Sequence, residues 1–290
     1  MSARESEKRI GEGATSIEDQ LPLPPPKVSF GERFAQIFVP AAMLVLLIGI
    51  WHFYVTFNDV PHYILPSPLL VAQSLYNDWP VLFRALQVTV EITFSALALA
   101  LVGSVAVAII MSQWRLAELA IFPYAVILQV TPIVAIAPLI IIYAPTTHAA
   151  LLICAFLVAF FPILSNTIQG LRSTDHNLLN LFELYGANRL QTLALLKIPN
   201  ALPYFLAGLR IAGGLALIAA VVAEFVAGSA GADSGLAFRL LESQYRLLIP
   251  RLYAALLLLS LTGVVIFFAT SLISHLLLRK WHESAVRREN

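Results

Sequence analysis

Polar side chains inside long apolar runs are where this sequence could do chemistry. A polar group in hydrocarbon is costly unless it is partnered or faces an aqueous path. Glu224 is the sharpest case, set in the run AAVVAEFVAG. Two roles are open to it: a hydrogen-bonded brace between helices, or part of the wall of a solute path. Gln129 and Thr131 sit beside a Thr131-Pro132 pair, and Ser165 and Asn166 lie in FFPILSNTIQGLRS. The same two roles apply, as interhelical glue or as lining of a pathway. Glu91 and Arg210 lie near the ends of their apolar runs, where an interfacial position or snorkelling to the headgroups accounts for them.

Catalytic patterns are missing. No GxxxxGK[ST] phosphate loop occurs, so ATP is not bound by that route. His282-Glu283 has no second histidine to complete HExxH, and GSAGADSG does not fit the GxSxG nucleophile elbow. The six histidines are scattered, and His148 and His275 lie near apolar runs, towards their ends. The one cysteine, Cys154, sits in an apolar run and reads as a buried, inert thiol. The chain is expected to be no enzyme and to hold no metal or cofactor of its own.

The elements that must position these groups are membrane spans. The chain has 290 residues, 59% of them hydrophobic and 12% charged. Its mean hydropathy is +0.82. A soluble domain cannot hide that much apolar surface. A net charge of +1 gives no reason to expect nucleic acid or an acidic substrate. Residues 1–30 read as a disordered tail containing LPLPPPK, which cannot be helical. No signal peptide is evident, and the first apolar run reads as a retained anchor. A span needs about 20 apolar residues. Six runs qualify: 35–56, 86–111, 118–143, 148–168, 205–227 and 251–278. The third is expected to kink or break at Thr131-Pro132 and again at Pro138. The segment 61–84 is expected to hold an interfacial helix, and 227–250 a loop with a short helix. The permease domain is set at 31–285, with a last short tail at 286–290.

Orientation follows the Lys/Arg bias. With the N-terminus inside, thirteen Lys/Arg fall on inner segments: Arg4, Lys8, Arg9, Lys27, Arg33, Arg115, Arg172, Arg189, Lys197, Arg279, Lys280, Arg287 and Arg288. Four fall outside: Arg84, Arg239, Arg246 and Arg251. Both termini are therefore expected in the cytoplasm, and so is the polar stretch 169–204. Within it, Thr174 or Asp175 can cap a helix whose Leu178, Leu181, Phe182 and Tyr185 share one apolar face, with Asn180 and Glu183 elsewhere. Gly186 falls where a left-handed C-terminal cap belongs. Asn188 can cap a second helix with Leu190, Leu193, Ala194 and Leu196 on its greasy side. Pro199 is expected to end that helix and Pro203 to open span five. Such a helix–Gly–helix unit either packs under its own bundle or docks a soluble partner in a groove.

The spacing of Gly186, Ile198-Pro199, Leu202-Pro203, Gly208-Leu209-Arg210 and Glu224 resembles the cytoplasmic EAA loop and following span of ABC importer permeases. More narrowly, the chain resembles the nitrate/sulfonate/taurine branch. YILPSPLL (63–70), TPIVAIAPL (131–139), the 160–173 run and Ser234-Gly235-Leu236 fit that branch in order. The likeness covers about 60–280. It implies an all-α membrane protein, a type I ABC importer permease bundle with a cytoplasmic coupling loop at 169–204. It also implies a separate ATPase pair carrying ATP and Mg, an extracytoplasmic solute-binding protein, a second permease copy and a bacterial inner-membrane location. ATPase coupling would then rest on Leu178, Asn180, Leu181, Phe182, Glu183, Tyr185, Gly186, Pro199 and Pro203. Gly208, Gly213 and Gly214, with Ala219, Ala220 and Ala223, are expected to form one small-residue face for helix or dimer packing. The sequence departs from the pattern at Asn180-Leu181-Phe182, which stand where Glu-Ala-Ala gives the loop its name. A charge contact by the first of these residues is lost. A standalone secondary transporter or channel, with the loop packed beneath it, is the competing reading.

Overall fold

The computed structural model describes residues 30–228 and 234–279. Almost all of the expected N-terminal tail lies outside that range. So do the C-terminal residues from Lys280, including His282-Glu283, and residues 229–233 of GSAGADSG. Every element among the described residues is helical. The helices are α1 (Phe30–Phe57), α2 (Pro68–Asn77), α3 (Trp79–Gln113), α4 (Arg115–Val130), α5 (Ile133–Tyr143), α6 (Thr147–Arg172), α7 (His176–Leu184), α8 (Arg189–Thr192), a π-helical segment (Leu193–Lys197), α9 (Ile198–Ala227), α10 (Leu236–Tyr245) and α11 (Ile249–Leu278).

Among the described residues five helical runs are long and apolar enough to cross a membrane, and α4 with α5 makes a sixth if taken as one bent span. That pair turns by 104° at Thr131-Pro132, as the sequence reading anticipates. The second expected break does not occur, because Pro138 lies inside α5. One lost backbone bond is tolerated in a membrane helix when neighbours support the turn, and Ala137 beside it is fully buried. The spans run longer than the apolar runs suggest. Thus α3 has 35 residues, about 52 Å at 1.5 Å per residue. Caps set several of the ends. Ser67 accepts from Leu70 N with Pro68 at the first helical position of α2, and Thr146 accepts from Ala149 N at the start of α6. The expected short helices at 61–84 and 227–250 are α2 and α10.

Helix α1 as far as Tyr54 belongs to one unit, and the chain from Val55 to a second. In the second unit α6 and α9 form the most extensive helix pair, with α3 against α6 next. Two glycines allow this. A Cβ on Gly208 would lie 2.7 Å from the Pro162 carbonyl oxygen, and one on Gly170 would lie 2.8 Å from Ala201 Cα. Small residues there let the backbones nearly touch, which is how membrane helices gain packing energy in place of a hydrophobic drive. Ala219, Ala220 and Ala223 enter a core with Ile92, Ala96 and Cys154.

The single small-residue face expected on span five is not formed. Gly208 meets α6, Gly213 meets Ile266 and Thr270 of α11, and nothing lies within 4 Å of a Cβ placed on Gly214. At about 100° per residue these three glycines point in three directions, so they serve different neighbours.

Candidate functional site

The stretch after α6 is a helix–turn–helix unit fixed at each joint. Asp175 caps α7, its carboxylate accepting from Asn177 N at 2.8 Å. Gly186 has φ +70. Gly186 N donates to Glu183 O and Ala187 N to Phe182 O, both at 2.9 Å. That pair of bonds is a Schellman closure, and its left-handed residue favours glycine. Asn188 and Gln191 then form a reciprocal capping box at 2.8 Å each way.

Two expectations for this unit are corrected. The second helix does not stop at Pro199. Arg189–Ala227 is one continuous helical run, with Pro199 in the first turn of α9 and Pro203 inside it. The π segment at Leu193–Lys197 comes just before. Its wider turn accommodates a ring that would otherwise strike the carbonyl one turn back. The expected greasy side is not buried as a unit: Leu193 is buried and Leu196 half-buried, while Leu190 and Ala194 are exposed.

The apolar face of α7, which the sequence leaves free to pack beneath the bundle or to dock a partner, is largely open. No residue of α7 is buried. Leu179 and Phe182 are half-buried, while Leu178, Leu181 and Tyr185 are exposed, as are Asn180 and Glu183. Leu184 is 85% exposed and joins that face. The sequence reading omits it, although its i+3 spacing from Leu181 is the signal.

The base of the unit is pinned. Asn200 Nδ2 donates to Ser173 Oγ at 3.0 Å, and Ser173 Oγ donates to the Gly170 carbonyl at 2.9 Å. This clamp joins the end of α6 to α9 beside the Gly170–Ala201 approach. Asn200 carries no sequence signal as a functional residue, because its partners lie 27 and 30 positions away.

Of the five pathway candidates, Asn166 and Glu224 stand far apart. Thr131 Oγ1 donates to Ile127 O at 2.7 Å at the α4–α5 elbow, and Gln129 is exposed nearby. Asn166 Nδ2 donates to Pro162 O at 2.8 Å, and its Cβ faces Gly208. Ser165 beside it is half-buried. Glu224 lies sixteen residues beyond Gly208, about 24 Å along the α9 axis.

Glu224 is 2% exposed and heads its own network. Its Oε1 accepts from Thr89 Oγ1 at 2.8 Å and its Oε2 from Ala237 N at 2.9 Å. Thr89 Oγ1 accepts in turn from Leu236 N at 2.9 Å. The residue before α10 is Gly235, which offers no side-chain cap. Glu224 and Thr89 supply that cap from α9 and α3, satisfying amides that the start of a helix leaves unpaired. Any side chain at Gly235 would drive its Cβ into the Glu224 carboxylate.

At the far end of α10, Glu242 pairs with Arg239 at 2.8 Å and Arg246 at 3.2 Å. The Arg239 hydrogen bond holds the Glu242 carboxyl below its ordinary range, against the opposing effect of burial. Arg251 of α11 faces Asp78 between α2 and α3 at 3.6 Å. Among the described residues no group of three or more His, Cys, Asp or Glu is placed to hold a metal ion.

Residues 100–283 match the family described as binding-protein-dependent transport system inner membrane component. The formylaminopyrimidine transport permease protein ThiX of Halalkalibacterium halodurans is 32% identical, covering 85% of this chain and 97% of its own. The riboflavin transport system permease protein RibX of Chloroflexus aurantiacus is also 32% identical, over 91% of this chain and 100% of its own. A putative aliphatic sulfonates transport permease protein of Bacillus subtilis is 24% identical, over 82% of this chain and 86% of its own. Among solved structures, one titled as an amino acid ABC transporter with histidines matches with a TM-score of 0.58 at 16% identity. It covers 70% of this chain and 96% of that one, a likeness of fold.

Proposed function

This chain belongs to the family of binding-protein-dependent transport system inner membrane components, and from that premise we propose how it is powered and what it moves. It is the membrane-spanning permease subunit of an ABC importer, working with an ATPase and a substrate-binding protein. We assign the ATPase contact to α7 and the turn behind it: Leu178, Leu181, Leu184 and Tyr185 as the apolar surface, Asn180 and Glu183 at its margin, and Gly186 as the fixed joint. ATP and Mg belong to the partner. Both termini and this unit lie in the cytoplasm on the Lys/Arg bias, in a bacterial inner membrane.

One observation carries this reading. A helix with exposed leucines on one face, capped at both ends and pinned at its base, is shaped to enter a groove and to transmit force. An unpinned loop would absorb the movement instead.

A second copy completes the pathway. Ile211, Gly214, Ile218 and Phe225 form an exposed stripe along α9, one helix face without a partner among the described residues. Solute passes as the pair alternates between two states that nucleotide and loaded binding protein favour differently. Two relatives at 32% identity are named for a formylaminopyrimidine and for riboflavin, so a flat nitrogen heterocycle is the solute class to test first.

The test is reconstitution of the chain in vesicles with its ATPase and binding protein. Uptake is expected only when all three and ATP are present. Uptake that persists without the ATPase supports a standalone transporter instead.

A further inference from the structure

Behind α7, on its bundle side, a cavity of about 300 Å³ opens between the end of α3 and α8. It is of the size at which ligand pockets begin. Arg189, Lys197 and Gln113 line it together with Ser112 and Thr192, and Leu179 closes one side. The coupling role assigned above uses neither cation.

The chemistry of the lining is one-sided. No carboxylate lines the cavity. The ion pairs among the described residues join Arg172 with Glu118, Arg239 and Arg246 with Glu242, and Arg251 with Asp78. Arg189 and Lys197 take part in none of them. The hydroxyl protons of Ser112 and Thr192 are spent on Ile109 O at 2.8 Å and Asn188 O at 3.1 Å. The cavity therefore offers cationic N–H donors and an amide to whatever enters, which is what a phosphate oxygen needs.

Its depth selects the source. Ser112 and Gln113 end the spanning helix α3, and the next residues Trp114 and Leu116 are 58% and 81% exposed. An exposed tryptophan at the end of a span marks headgroup level. Basic pockets between spans at that level suit anionic headgroups.

We propose that this cavity binds the phosphate of an anionic phospholipid, seating a lipid headgroup at the root of the coupling unit. Leu179 belongs both to α7 and to the cavity wall, so an occupied site stiffens the base of α7 without covering its exposed face.

The test uses the full-length chain equilibrated with vesicles of phosphatidylcholine, alone or mixed with phosphatidylglycerol, then extracted and weighed with its retained lipid by native mass spectrometry. Preferential retention of phosphatidylglycerol is expected. Arg189→Gln or Lys197→Gln should each lower that preference about fivefold, and the double variant about thirtyfold. The charge-keeping Arg189→Lys, Lys197→Arg pair should restore most of it, which separates lost charge from lost fold. Equal retention of the two lipids, or a double variant that keeps the preference, overturns the proposal. Inorganic phosphate supplies the other arm. If it stabilises the chain while the two vesicles give the same retention, the site takes a free anion and the lipid reading fails. If the double variant changes only capture of the ATPase, the cations belong to the partner contact and the proposal also fails.

Discussion

At the residue scale, two similar turns carry different residues in their left-handed position. The turn after α7 places Gly186 at φ +70, and the turn after α10 places Leu247 at φ +57. A left-handed conformation costs a side-chain-bearing residue about 1–2 kcal/mol. Gly186→Val should therefore weaken the joint by about that amount, for conformational reasons alone, because nothing lies within 4 Å of the added Cβ. The expected outcome is ATP hydrolysis that continues while uptake falls, checked by measuring both in the same vesicles; unchanged uptake removes the joint from the coupling path. Gly186 is legible in the sequence because its place follows from the helix before it. Leu247 is not, since leucine carries no turn signal and only the tertiary arrangement imposes its φ. Glu224 is half legible. A carboxylate in an apolar run marks itself, but its partner Thr89 lies 135 residues away and looks like any threonine in a span.

At the element scale, α10 is held at its start by Glu224 and Thr89 and at its end by a charge cluster. Glu224→Ala should leave the buried Ala237 N–H unsatisfied, at a cost of about 1–3 kcal/mol. Hydrogen exchange at the Leu236 and Ala237 amides should rise sharply. Glu224→Gln keeps one acceptor and should raise exchange much less. If both variants lose uptake equally with α10 exchange unchanged, the carboxylate acts on the solute rather than on the helix. The other end should respond to acid. Glu242 is held below its ordinary range, so its stabilisation is present above the unfolded value of about 4.3. It is lost as pH falls through the lower folded value. Hydrogen exchange across the α10–α11 corner should increase in that acid window, and Glu242→Gln should make it independent of pH there. The sequence reading places helices within 61–84 and 227–250 and a break at Thr131-Pro132 from local rules. It misses the continuity through Pro199, because a π segment that makes room for proline has no local signature. It also misses the divergence of Gly208, Gly213 and Gly214, which counting residues at 100° each would have exposed.

At the scale of the whole molecule, the account is of a bundle whose tightest pair, α6 and α9, carries the coupling unit between its ends. The pinned base at Ser173 and Asn200 gives the α7 unit and that pair one rigid root. The exposed stripe on α9 and the exposed face on α7 are surfaces that a lone chain leaves open, as a subunit does. Apolar residues without a core to enter were legible in the sequence as a face, but not as an exposed one. Exposure depends on where the bundle stops, which periodicity does not encode. The central claim is that the ATPase grips the α7 face. The most direct measurement is the affinity of the purified ATPase for the full-length chain in nanodiscs, with Leu181→Asp as the variant. Burying that carboxylate in an apolar groove should weaken binding roughly thirtyfold or more, as at a central interface residue, and remove uptake with it. An unchanged affinity would contradict the account.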